Sequence, residues 1–355
     1  MQHPVNKLIS AAPAIITRNR RHVLLAGVAG AGALLGGLGI SAFAQGLKSI
    51  RVSEAIHLGM YASVYAAVHG GYFKKHGLDV TVSSAGGIAL AVPVVLSGNA
   101  SFAITGAGMS VNATNEGAKL LNIAKIVGGV AMWAVAKPGT KIRKIEDFRG
   151  KTIATLRFPS SSIQTPIFAM KERGGFDPEA AGVKFLQLPA GAQAQAVLDG
   201  RADVATMFEW DVSIAKQKFG LEPVFGFADI IGPLSWTTAI ASRALVDKDP
   251  ALVQAFCDAI AEAQAALQVD RELFIKASVA EFPQVDAGVI RSAADNLLTH
   301  TTAIPKTPVI SKAEWDTNMA FEMAGGSVKS PRSFEEMVDN RFAERAVAKL
   351  AAKKI

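Results

Sequence analysis

From residue 50 to about residue 240 of the 355-residue chain, short β-prone runs alternate with segments punctuated like helices, and beyond that the pattern turns helical. Such alternation predicts an α/β protein whose sheets are covered by helices. Ile50 to Ala55 reads as a strand, Tyr65 to Lys75 as a helix stopped near Gly77, and Leu78 to Val82 as a second strand. Ala89 to Ser97 is helical, and Phe102 to Ile104 is a strand running into the loop Gly106-Ala107-Gly108. A helix from Ser110 to Gly117 follows, then strands at Ile123 to Gly128 and Ala131 to Ala136, and the turn Lys137-Pro138-Gly139-Thr140 closes this first unit.

A second unit opens with Ile145 to Lys151 and the strand Thr152 to Leu156. Thr165-Pro166 has the form of a helix cap with proline in the first turn, Gly174-Gly175 stops that helix, and Asp177-Pro178 begins another. Gly191 to Leu198 is helical, Val204 to Phe208 a strand, Ser213 to Phe219 a helix, and Ser235 to Ala241 an alternating run able to return the chain to the first unit. Asp249-Pro250 then caps an Ala-rich helix to about Asp270. Asp286 to Leu298 is helical, and Ser311-Lys312-Ala313-Glu314 has the capping-box form.

The first 44 residues follow a different rule. Val23 to Ala44 carries no ionisable side chain, the segment before it carries Lys7, Arg18, Arg20 and Arg21 without an acid, and Ala42-Phe43-Ala44 suits a signal peptidase. Six glycines between Gly27 and Gly39 weaken this run as a helix, which favours a removable export signal over an uncut membrane span. Arg20-Arg21 followed by His22-Val23-Leu24-Leu25 resembles the twin-arginine signal, which routes folded proteins through a bacterial membrane. Cleavage after Ala44 and a periplasmic location are expected.

Half of the chain is apolar, enough for a large core, and four of the charges behind its net +7 sit in the signal. The remaining balance, about +3, gives no reason to expect nucleic acid as a partner. The single cysteine, Cys257, lies in an apolar helical stretch and reads as a small buried hydrophobe, which leaves no internal disulfide and no multi-thiolate zinc site.

Five segments share an order with a known group. Tyr65 to Val80, with Gly71-Tyr72-Phe73-Lys74-Lys75-His76-Gly77-Leu78-Asp79-Val80, resembles a signature stretch of the solute-binding proteins that serve ABC importers of nitrate, sulfonates, taurine and thiamine-pyrimidine precursors. Leu96 to Ala103 is similar to a second motif of that group, with Ser101 where aspartate is usual. Ile145 to Ala154, Leu198 to Ala205 and Ser235 to Ser242 follow in the same order. The resemblance covers roughly residues 50 to 245. It implies a type II periplasmic-binding-protein fold: a first lobe from 45–134, a second lobe from 135–234, and a return to the first lobe with C-terminal helices over 235–355. It also implies a monomer that binds a small-molecule solute (a sulfonate, carboxylate or nitrogen heterocycle), docks on an ABC permease and ATPase complex at the inner membrane, and needs no cofactor.

Contacts to a ligand are expected from loops after strands in both lobes. In the first lobe these are Met60, Tyr61, Gly87, Thr105 and Gly106, where glycines let amides approach and Tyr61 offers a ring and a hydroxyl; Trp133 serves either as a cleft wall or as core. In the second lobe Arg157, Ser160, Ser161, Ser162 and Gln164 follow a strand and precede a helix, a pattern suited to an anion, with helix capping as the alternative. Glu209 and Trp210 follow the next strand, and Trp236 faces the crossing. Arginine and glutamate together leave the sign of the ligand's charge open.

No nucleophile elbow, metalloprotease motif or P-loop occurs after the signal, and the mature histidines His57, His69, His76 and His300 show no third metal ligand nearby in sequence. A binding protein is therefore expected rather than an enzyme. A desulfinase-like or pyrimidine-synthase-like enzyme, or a sensor for a membrane kinase, would use the same cleft.

Overall fold

The computed structural model describes residues 46–158, 160–299 and 302–352, so the segment read from the sequence as an export signal and His300 lie outside the described residues. Among the described residues, ten strands form two five-stranded sheets. The first has the order β2-β1-β3-β10-β4, from β1 (Lys48–Glu54), β2 (Leu78–Ser84), β3 (Phe102–Gly106), β4 (Leu120–Val127) and β10 (Thr237–Ser242). The second has the order β7-β6-β8-β5-β9, from β5 (Met132–Ala136), β6 (Thr152–Leu156), β7 (Lys184–Leu188), β8 (Val204–Phe208) and β9 (Glu222–Gly226).

Four strands of each sheet run in one direction: β1 pairs in parallel with β2 and β3, and β6 with β7 and β8, while β4 and β9 share their directions across the intervening strand. The fifth runs against its neighbours and comes from a segment that crosses between the sheets. β10 lies antiparallel between β3 and β4, and β5 antiparallel between β8 and β9. Ala131 to Ala136, read from the sequence as the last strand of the first lobe, thus belongs to the second sheet. The two crossings touch, because the Leu234 N–H donates to the Gly128 carbonyl at 3.2 Å. A Cβ on the adjacent Gly129 would fall on the Thr302 hydroxyl, so only glycine fits there.

A buried polar network fixes β10 in its slot. The Thr238 hydroxyl donates to Asn122 Oδ1 at 2.6 Å, and Asn122 Nδ2 donates to the Ser110 hydroxyl and the Met337 carbonyl, both at 2.9 Å. These groups would be costly if unpaired in the core; together they satisfy one another.

The long helix Pro250–Leu267 forms as its cap predicts: the Asp249 carboxylate accepts from the Leu252 N–H at 3.1 Å with proline in the first turn. Its apolar face brings Phe256 onto Phe102, ring centres 4.2 Å apart, and onto Phe73 at 5.4 Å. Cys257 is fully buried beside it, 3.6 Å from the Ile123 carbonyl, and burial pushes its thiol pKa upward.

Two helix starts differ from expectation. Residues 178–182 form turns, and the helix expected to begin at Thr165 begins at Ser161, capped by Ser160, so that Pro166 lies inside the helix Ser161–Phe168. Proline has no N–H for the Ser162 carbonyl, and the Thr206 hydroxyl donates to that carbonyl instead. Strands β7 and β9, which the apolar pattern does not mark, pair with β6 and β5. No helix among the described residues is long and apolar enough to cross a membrane.

Phe256→Ala should cost about 3–5 kcal/mol of unfolding free energy, the range for removing a large buried aromatic. Urea titration followed by circular dichroism would measure it.

Candidate functional site

The carboxyl ends of β1, β3, β6 and β8 lead into loops that meet around a cavity of about 270 Å³. Parallel strands leave such a crevice where their following loops diverge. His57, Met60, Tyr61, Ile88 and Gly106 approach from the first sheet, and Leu156, Ser160, Gln164, Glu209 and Trp210 from the second. Trp236 and Thr237 close it at the second crossing, and Glu322 and Ser327 enter from the C-terminal tail.

Of the residues expected from the sequence, Met60, Tyr61, Gly106, Ser160, Ser161, Gln164, Glu209, Trp210 and Trp236 share this cavity. The other five do not line it. Gly87 and Thr105 stand behind it: Gly87 donates to the Ala55 carbonyl at 2.8 Å, and the Thr105 hydroxyl holds the Ile88 carbonyl at 2.8 Å. Ser162 is fully buried and its hydroxyl accepts from the Leu156 N–H at 2.6 Å, which shapes the turn that carries Ser160 and Ser161. Trp133 is a core residue of the second sheet, paired opposite Met207 of β8 and packed beside Gly226 of β9. Arg157 is exposed and outside the cavity, so the anion partner expected there does not face the enclosed space.

Contacts from the two sides meet around the cavity. A Cβ on Gly59 would collide with the Trp210 indole, so glycine lets the ring lie flat against the first-lobe loop. Trp210 then meets Phe282 edge-on, ring centres 5.1 Å apart, and Phe282 lies 4.2 Å from His57 and 5.3 Å from Tyr65. On the other side Phe168 packs 5.3 Å from Phe321 of the tail helix Lys312–Ala324.

Three carboxylates sit in or behind this wall with little access to water. Glu209 is 1% exposed; it accepts from the Ser213 N–H and hydroxyl, both at 3.1 Å, and from Asn296 Nδ2. Glu322 accepts from the Ser327 hydroxyl and packs against Gly108. For both, burial outweighs these hydrogen bonds and raises the pKa above the ordinary carboxylate value. Glu54, at the end of β1, bonds His57 Nδ1 and accepts from the Tyr65 hydroxyl at 2.6 Å. The bond to Glu54 raises the His57 pKa against the opposing effect of burial. Among the described residues, no lysine or arginine lines the cavity.

Sequence reasoning did not single out Glu322, His57 or Ile88 for the cleft, whereas Thr237, expected with Trp236 at the crossing, lines it. For His57 a signal was present, since Glu54 and His57 are three apart just before the Met60-Tyr61 loop. Glu322 had none, because it arrives from a helix more than 200 residues beyond Gly108. His69 pairs with Glu281, and His76 lies beside Glu262, both away from the cavity.

A family model described as NMT1/THI5 like matches residues 60–270, more than half of the chain. The chain belongs to the NMT1/THI5-like family. It is 22% identical over 305 residues to the putative binding protein YtlA of Bacillus subtilis (strain 168), covering 85% of this chain and 91% of that protein. Among solved structures it superposes on a putative sulfonate ABC transporter's periplasmic sulfonate-binding protein SsuA from Methylobacillus flagellatus KT. The TM-score is 0.66 at 17% identity, over 86% of this chain and 95% of that one. It also superposes on the desulfurization enzyme DszB with a TM-score of 0.56 at 13% identity, over 85% of this chain and 99% of that one. This family member has the two-lobed periplasmic-binding-protein fold.

His57 binds its proton more tightly in the folded chain than in the unfolded one. Its contribution to stability is therefore complete below about pH 6.5 and is lost as pH rises through the raised value. In denaturant titrations across that window His57→Gln should flatten the decline; an unchanged slope would assign it to other groups.

Proposed function

We propose that the exported chain is the solute-binding component of an ABC importer, which captures one small organic solute between its lobes in the periplasm and presents it to an inner-membrane permease. The observation that carries this reading is the enclosed cavity at the strand ends of both sheets. Its walls are largely apolar, with a few polar groups placed among them, as in sites that recognise small molecules. Its size, about 270 Å³, is near the lower end of such sites, so the solute is compact. Lobe closure desolvates the solute and couples its capture to a shape that a membrane partner can read.

Family membership and the likeness to YtlA and SsuA support this assignment, as does the twin-arginine-like head for export. For the enzyme alternative, the one thiol is buried behind β4 and the cleft imidazole is already bonded to Glu54. Neither is arranged as an activated nucleophile beside a base.

A thermal-shift screen of the protein lacking residues 1–44, against sulfonates, carboxylates, nitrate, pyrimidines and amines, tests the assignment. The solute that shifts melting should lose about tenfold or more in affinity with Trp236→Ala, in line with truncation of a buried aromatic contact, and stay within about twofold with Arg157→Ala. Turnover of a bound compound in place of simple binding would overturn the transport reading.

A further inference from the structure

Anions in clefts of this geometry are held by lysine or arginine, or by the free amides where helices start at strand ends. In this chain two of the helix starts at the cleft turn an amide to one of the chain's own side chains, and a third has a buried carboxylate packed against it. The helix Ala107–Asn115 starts where β3 ends, and the Glu322 side chain packs against Gly108 in its first turn. The helix Asp211–Phe219 starts just past β8, and the Glu209 carboxylate accepts its Ser213 N–H at 3.1 Å. The helix Ser161–Phe168 is capped by Ser160, whose hydroxyl accepts the Ser162 N–H at 3.2 Å. Glu209 and Glu322 both line the cavity, one from the second lobe and the other from the tail, and among the described residues no lysine or arginine lines it to offset them. The cleft imidazole turns Nδ1 to Glu54, and its Nε2 lies 3.7 Å from Glu281.

We infer that the cavity takes an organic nitrogen base, a solute with an amine or ring N–H on a flat apolar body, and refuses sulfonates, nitrate and carboxylates. This deepens, and rests on, the reading of the chain as a solute binder. Two buried carboxylates in reach of one compact solute present acceptors to a donor and repel an anion. The rings of Tyr61, Phe208, Trp210 and Trp236 supply flat apolar walls, and aromatic faces attract cations. Burial also raises the pKa of Glu209 and Glu322, which marks both as short of a positive partner.

The test is calorimetry of the purified chain with a panel of aryl-alkyl and heterocyclic amines, their sulfonate and carboxylate counterparts on the same carbon bodies, and inorganic nitrate. At least one amine should bind tenfold or more tightly than its anionic counterparts, and Glu322→Gln should weaken that amine about tenfold while melting stays cooperative. If Glu322→Gln does not fold, Glu209→Gln gives the same readout from the other lobe. Tighter binding of a sulfonate, carboxylate or nitrate would overturn the inference and leave the solute-binding reading intact. So would amine binding that both substitutions leave unchanged. Silence from the whole panel would overturn both readings.

Discussion

Each sheet is completed by a strand that arrives from the other, and this exchange is the constraint on which the molecule depends. β10 has to thread antiparallel between β3 and β4, and β5 between β8 and β9, so neither sheet is whole until the chain has crossed both ways. An inserted strand has neighbours on both sides, and its loss would leave two unpaired edges inside a sheet. The crossings are therefore anchored at their ends by sheet pairing and joined by the bond from Leu234 to Gly128. That leaves a short connection about which two firm bodies can turn, with the strand ends of both facing one gap.

The tail converts the gap into a cavity. Helix Lys312–Ala324 packs on the second-lobe helix Ser161–Phe168 and brings Glu322 to the first turn of Ala107–Asn115, so one segment contributes to wall and electrostatics together. Helix Ala287–Thr299 supports the other flank from behind, where Asn296 bonds Glu209. Buried carboxylates of this kind are costly, and the hydrogen bonds around them offset only part of that cost. Retaining two at the cleft makes more sense for recognition than for stability, since apolar residues of similar size would relieve the burden.

Local signals in the sequence carried most elements. Strands β1, β3, β6 and β8 alternate or are apolar throughout, and Asp249-Pro250 states a helix start in two residues. Strands β7 and β9, KFLQL and EPVFG, were not legible because only their sheet partners give them a reason to be extended. The same limit misplaced β5, whose partner strands lie 70 and 90 residues on. At the site, the rule that ligands meet loops after strands brought together Tyr61, Ser161 and Glu209. It went astray at Arg157 and Trp133, where the direction of one side chain decides between cleft, core and solvent. Glu322 was beyond reach, because nothing local in a helix tells which distant turn its carboxylate will meet.

The isolation of Cys257 has a practical reach. A thiol sealed in the core with its ionisation suppressed does not compete for maleimides or other thiol reagents in the folded protein. New cysteines placed on the two rims of the cleft would then be the only sites to react. A pair of dyes attached there would report the distance between the lobes, turning the native chain, without first removing a cysteine, into an optical gauge of its own ligand.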